Sequence, residues 1–219
     1  MTPANNPVGA SLATPSANPP DSAKPGIASN APTHPAHPIR KTGNLHRGRI
    51  TLPHTRYFVT LVTHNRARWL VGDNARHALD VLRAGHEARE WRIAAATCMP
   101  DHTHILFRPG EKHTVGQCVG RWKFQMRHAS DNAAANQWQR DFWEHRLRPD
   151  DESEKYGLYI FLNPYRARLT GCEKPWPWTW FSEFQNFAFS EHLGANGTPC
   201  PEWLQKYDNT YFESIHVRE

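Results

Sequence analysis

His102 and His104 stand one residue apart in the run His102-Thr103-His104-Ile105-Leu106. In an extended strand, side chains two apart project to the same face, so both imidazoles can approach one ion without backbone distortion. Further along, Tyr159 and Asn163 are four residues apart in a stretch that reads as helix, which places them one turn apart on one face. If that face covers the histidine strand, Asn163 offers an amide oxygen as third ligand and Tyr159 aims its hydroxyl at whatever the ion holds. Taken singly, each pattern has a plainer reading: histidines on an ordinary sheet surface, a packing tyrosine, and an asparagine that ends a helix before Pro164.

Together these groups suit phosphodiester chemistry. The charged oxygens of a phosphodiester repel nucleophiles, and a cation on a nonbridging oxygen withdraws that charge and orients the phosphorus. A phenol with a pKa of about 10 needs such help to attack. The resulting phosphotyrosine would keep the bond energy for rejoining, which a simple hydrolase discards. Two nitrogens and one amide oxygen leave positions for water and phosphate, which suits Mg²⁺ or Mn²⁺, with nitrogen ligands favouring Mn²⁺ in affinity. A structural zinc site is the alternative. It needs a closed set of four ligands, and the fourth candidate is Cys98 in the preceding strand. Tyr156, three residues before Tyr159, is the alternative nucleophile. Glu144 and His145 could carry protons, although a charged solvent face on an edge strand also accounts for them.

The elements that position these residues follow from pattern. Tyr57 to Thr63 is β-branched and aromatic, a strand. Asp73 can cap a helix whose apolar residues Ala78, Val81 and Leu82 recur at helical spacing towards Glu90. Arg92 to Cys98 forms a second strand, and Met99-Pro100-Asp101 turns into a third, His102 to Phe107. Thr114 and Gln117 make a capping box for a helix with the apolar stripe Val115, Cys118, Val119, Trp122 and Met126. A fourth strand is expected over Trp138 to Leu147, and Pro149-Asp150-Asp151-Glu152 opens a last helix that reaches Asn163-Pro164. The order β-α-β-β-α-β-α predicts an α+β fold of the ferredoxin-like, split β-α-β kind. It would have a four-stranded antiparallel sheet, two helices on one face, and a C-terminal helix carrying the tyrosine.

The chain has 219 residues with 38% hydrophobic content, enough for one core, and a net charge of +5 that suits a polyanionic partner. Its four cysteines show no C-x-x-C pair, which argues against a zinc ribbon or disulfide framework and fits a reducing cytosol. No apolar run of about 18 residues could span a bilayer, and no secretory signal opens the chain, so a cytoplasmic protein without membrane contact is expected. Nine of the 18 prolines fall within residues 1–38, where Asp21 and Lys24 are the sole charges. That composition predicts a disordered tail. The expected division is tail 1–38, basic arm 39–55, catalytic domain 56–187 and an extension of unknown role, 188–219.

Four stretches resemble the REP-associated tyrosine transposases, a branch of the HUH-type single-strand insertion-sequence transposases. They are Arg56-Tyr57-Phe58-Val59-Thr60 with Arg66; Met99-Pro100-Asp101-His102-Thr103-His104-Ile105-Leu106; Trp138-Gln139-Arg140-Asp141-Phe142-Trp143-Glu144-His145; and Tyr159-Ile160-Phe161-Leu162-Asn163-Pro164-Tyr165-Arg166-Ala167. The resemblance covers roughly residues 47–184. It implies that His102, His104 and Asn163 hold a metal and that Tyr159 attacks DNA. It also implies a ferredoxin-like fold and a DNA hairpin from repetitive extragenic palindromes as target, cleaved in the adjacent single strand. The chain departs from the family in the apolar Phe161-Leu162 and in Tyr165-Arg166-Ala167-Arg168, which bears on target preference.

Single-stranded or hairpin DNA is therefore the expected partner, bound by a monomer or homodimer. Arg47, Arg49, Arg66, Arg121, Lys123, Arg127 and Arg140 are candidates for neutralising its backbone. Trp138, Trp143, Trp176 and Trp178 are candidate stacking platforms, whereas Trp122 is expected in the core. Two alternatives remain: a catalytically silent hairpin-binding protein, and a metal-dependent phosphodiester hydrolase in which water attacks.

Overall fold

The structure is a computed structural model that describes residues 50–128, 137–148, 153–215 and 217. Residues 1–38, Arg47 and Arg49 of the basic arm, and Pro149-Asp150-Asp151-Glu152 lie outside the described residues.

Strands β1 (Tyr57–Val62), β2 (Trp91–Met99), β3 (His102–Pro109), β4 (Trp143–Arg146) and β5 (Thr179–Phe181) form one sheet in the order β4-β1-β3-β2-β5. Every neighbouring pair is antiparallel. β1 and β2 flank β3 and are therefore parallel to each other, joined by helix α1 (Gly72–Glu87) as the crossover of a split β-α-β unit. The sheet has five strands, not the four expected. β5 is only three residues long, too short to display an alternation, and it pairs with Ala95, Ala96 and Thr97 on the free edge of β2.

Two further expectations are corrected. The fourth strand is Trp143–Arg146 instead of Trp138 to Leu147: Trp138 makes an isolated bridge with Thr63, and residues 139–142 leave the ladder. In α1 the N-cap is Val71, without a side-chain cap bond, and Asp73 sits inside the first turn paired with Arg76. Gly72 starts the helix with a φ of 54°, a conformation open to glycine, one residue ahead of the expected cap.

Helix α2 (Val115–His128) opens as its capping box predicts. The Gln117 amide hydrogen donates to Thr114 Oγ1 at 3.2 Å, and the Thr114 amide donates to Gln117 Oε1 at 2.8 Å. Helix α3 (Ser153–Arg166) continues past Asn163, with Pro164 inside it; beyond that proline, the Ala167 amide returns to the Asn163 carbonyl at 2.9 Å.

The pleat divides the core in two. Tyr57, Val59, Leu61, Ile105 and Phe107 face α1 and α2, whose Leu79, Leu82, Val119 and Trp122 complete the first cluster. Phe58 and Leu106 face the other way and pack with Tyr156, Tyr159, Ile160 and Leu162 of α3. The C-terminal residues join this second cluster through Phe187, Phe189, Phe212 and Ile215, the last two on or after the short helices α4 (Trp203–Lys206) and α5 (Asn209–Phe212). Gly157 makes room for this packing: a Cβ there would enter the Phe187 ring. Among the described residues no helix is long and apolar enough to cross a membrane.

Candidate functional site

β3 carries His102, His104 and Leu106 on the face that α3 covers, as the period of two requires. Both histidines are buried. Their Nε2 atoms face each other at 3.1 Å. His102 Nδ1 lies 2.7 Å from Asp101 Oδ1, and His104 Nδ1 lies 3.0 Å from the hydroxyl of Thr60, its partner directly across β1. Arg66 in turn donates to Asp101 Oδ2 at 3.2 Å. With each Nδ1 engaged by an oxygen, both Nε2 lone pairs can be turned towards a shared point.

This pair fits a divalent cation. Nitrogens about 2.1 Å from one metal, at cis or tetrahedral angles, lie about 3.0–3.4 Å apart, and the observed separation falls in that range. Among the described residues no group of three or more His, Cys, Asp or Glu side chains converges as a metal site, so within them a third protein donor would be of another type. Cys98 does not supply it. Its thiol lies with the α1 and α2 cluster on the opposite face and accepts from Thr103 at 3.7 Å, which removes the zinc alternative that used it.

Burial, above all, lowers the pKa of His104 well below the usual imidazole range, helped by the charges of His102, Arg66 and Arg166. At Asp101 burial acts to raise the pKa, but the hydrogen bond and charge of His102 and those of Arg66 prevail and hold the carboxyl below its ordinary value. A metal takes up the neutral imidazole, the form that burial favours at His104, and the ionised carboxylate of Asp101 orients the ring of His102.

α3 brings Tyr159 to this pair. Its ring packs edge-on against His104 with centroids 5.2 Å apart, and it touches Phe58 and Phe212 on other sides. Tyr156 faces elsewhere on the same helix, stacked on His145 at 5.8 Å and tilted against Phe58 at 5.2 Å. Asn163 is buried one turn beyond Tyr159, and among the described residues its side chain makes no hydrogen bond to either imidazole.

The candidate DNA contacts are dispersed. Arg66 belongs to the histidine site through Asp101. Arg121, Lys123 and Arg127 lie on α2, which packs on the opposite face of the sheet. Arg121 is paired with Glu90 at 2.8 Å, and Lys123 Nζ donates to the carbonyls of Gln139, Arg140 and Asp141. Arg140 is exposed in that loop. Of the tryptophans, Trp122 is fully buried, Trp138 and Trp178 pack on the first cluster, Trp143 on the second, and Trp176 donates to the Cys98 carbonyl at 3.0 Å. Sequence reasoning passed over Thr60 and Arg166. Both stand in quoted motifs without a role, and Thr60 becomes relevant only through strand register.

Comparison with known proteins supports the fold. Residues 51–148 match the family model described as Transposase IS200 like. The expected resemblance is borne out. A REP-associated tyrosine transposase of Escherichia coli K12 is 28% identical over 131 residues, covering 57% of this chain and 75% of that protein. A protein of Haemophilus influenzae assigned provisionally to the same group is 25% identical over 154 residues, covering 64% and 88%. A solved structure of a REP-associated tyrosine transposase bound to a REP hairpin has a TM-score of 0.51 at 24% identity, over 63% of this chain and 81% of that one; it shows the fold. His102 and His104 lie inside the matched segment, and α3 with Tyr159 lies beyond its end.

Proposed function

We propose that this chain cleaves and rejoins single-stranded DNA beside hairpins formed by repetitive extragenic palindromes, with Tyr159 as the attacking group. His102, His104 and Asn163 would hold Mg²⁺ or Mn²⁺. One observation carries the reading: two oriented imidazole nitrogens meet 3.1 Å apart, and the Tyr159 ring lies against one of those imidazoles. Tyr159 is preferred to Tyr156 because Tyr156 is stacked on His145. The hairpin target follows the solved relative, which is bound to one.

In the reaction, Tyr159 Oη bonds to phosphorus while the bond to one bridging oxygen breaks. The phenol proton passes to solvent and the departing oxygen takes one up. Attack by a DNA hydroxyl in the reverse sense frees Tyr159 and reseals a strand. A bound divalent ion would withdraw charge from a nonbridging oxygen. His102 and His104 contribute by fixed orientation, set by Asp101 and Thr60. Phe58 and Phe212 pack edge-on against the Tyr159 ring and would limit the water that competes with the phenol.

The test is incubation of the chain with Mn²⁺ and an oligonucleotide that places a palindromic hairpin beside a single-stranded flank. A denaturant-resistant protein-DNA adduct is expected, abolished by Tyr159→Phe and retained by Tyr156→Phe. An adduct that survives Tyr159→Phe and disappears in Tyr156→Phe moves the role to Tyr156. Strand cleavage without any adduct makes the chain a hydrolase, and hairpin binding without cleavage makes it a silent binder.

A further inference from the structure

Arg166 follows Tyr159 by seven residues, two turns along α3, so the two side chains leave one side of the helix. Helical side chains lean towards the N-terminus, and the long arginine stem reaches back. Its guanidinium carbon lies 5.5 Å from the centre of the Tyr159 ring and 4.9 Å from that of Phe212. One arm, Nη2, donates to Asn209 Oδ1 at the start of α5. The other, Nη1, is shielded from solvent and has no acceptor among the described residues.

A guanidinium is charged at any pH of interest, and a buried charged donor without an acceptor is costly enough that it is rarely left so. No ion pair joins Arg166 to a carboxylate among the described residues. Its planar donor fork matches the oxygens of a phosphate, and the empty donor sits beside the residue proposed to attack one.

We propose that Arg166 Nη1 donates to a nonbridging oxygen of the phosphate that Tyr159 attacks, with Asn209 and Phe212 as positioning residues that hold the guanidinium in place. This rests on the reading of Tyr159 as nucleophile. Arg166 would hold the phosphate before attack and stabilise the charge that grows on its oxygens during transfer. The C-terminal helix α5 thereby becomes part of the site, since it supplies both positioning residues.

The experiment separates this proposal from the reading beneath it by measuring binding as well as chemistry. In a Tyr159→Phe background, the chain is titrated with a set of hairpin-flanked oligonucleotides, each carrying one neutral methylphosphonate in place of a phosphate. At one position the neutral linkage should weaken binding roughly 10-fold. Arg166→Gln should weaken binding to the unmodified oligonucleotide by a similar factor, lower the salt slope by about 0.7, and lose all sensitivity at that position alone. With Tyr159 intact, Arg166→Gln should slow adduct formation roughly 10- to 100-fold. If the glutamine variant does not fold, Arg166→Lys keeps the charge and the stem packed on Phe212, and it should weaken binding to the unmodified oligonucleotide only. Additive effects of the Arg166 variant and the methylphosphonate at every position overturn the proposal. Absence of adduct in the unsubstituted chain overturns the role of Tyr159 and leaves the phosphate scan to judge Arg166 by itself.

Discussion

His104 Nδ1 and the Thr60 hydroxyl meet at 3.0 Å across the β1-β3 ladder, where the two residues are direct register partners. On the other imidazole, Asp101 does the same for His102 at 2.7 Å. These contacts fix ring orientation before any ion arrives, and loss of such support usually lowers metal affinity about 10- to 100-fold. Thr60→Val and Asp101→Asn, both close in shape to the originals, should each weaken Mn²⁺ binding by that amount in calorimetric titration while the fold survives. Unaltered Mn²⁺ affinity in both variants would mean that the histidine pair is not a metal site.

The buried His104 makes the metal-free protein acid-sensitive. Its folded pKa lies well below the 6.5 of a free imidazole, with burial the main cause. Between those two values the unfolded chain binds a proton that the folded chain refuses, so stability rises with pH there and is lost as pH falls through that window. Urea unfolding in the presence of a chelator should give a midpoint that declines as pH drops below about 6.5. His104→Gln should flatten the decline. A decline of the same steepness in that variant would assign it to other groups.

Much of this arrangement was legible in the sequence because it depends on local periodicity. The alternation of β3 put His102 and His104 on one face, and the four-residue offset put Tyr159 and Asn163 on one side of α3. The capping box of Thr114 and Gln117 formed as written. What stayed hidden depends on partners distant in the chain. Thr60 acquires its place from register with His104, and Asn209 and Phe212 reach Arg166 only because the C-terminal residues fold back over α3. β5 escaped notice because three residues cannot show a period, and its strand conformation comes from the free edge of β2 that it covers.

Lys123 illustrates how a cation can be a structural group. Its Nζ donates to the carbonyls of Gln139 at 2.7 Å, Arg140 at 3.3 Å and Asp141 at 2.9 Å, and it lies over the Phe142 ring at 5.7 Å. Lys123→Met retains the aliphatic stem and removes those donors, and should cost about 1–3 kcal/mol in urea unfolding. The salt dependence of DNA binding should stay unchanged. A smaller salt slope with unaltered stability would instead make Lys123 a phosphate contact.

α1 packs tightly on the sheet where Gly85 meets Trp91. A Cβ at Gly85 would enter the indole of Trp91, which is fully buried, donates from Nε1 to the Leu82 carbonyl at 2.9 Å and meets Trp122 edge-on at 5.3 Å. The indole cannot retreat without breaking that bond or displacing Trp122, so the added methyl must be absorbed by moving α1. Overpacking of this kind costs about 1–3 kcal/mol. Helix propensity works the other way, since alanine is better than glycine in a helix interior by about 1 kcal/mol. Gly85→Ala is therefore expected to destabilise the chain by somewhat less than the overpacking alone, read as a lower urea midpoint at constant slope. The histidine pair lies on the opposite face of the sheet from this contact. Mn²⁺ affinity and adduct formation by the folded protein should accordingly be preserved, and their loss at unchanged stability would show that α1 reaches the site through the sheet.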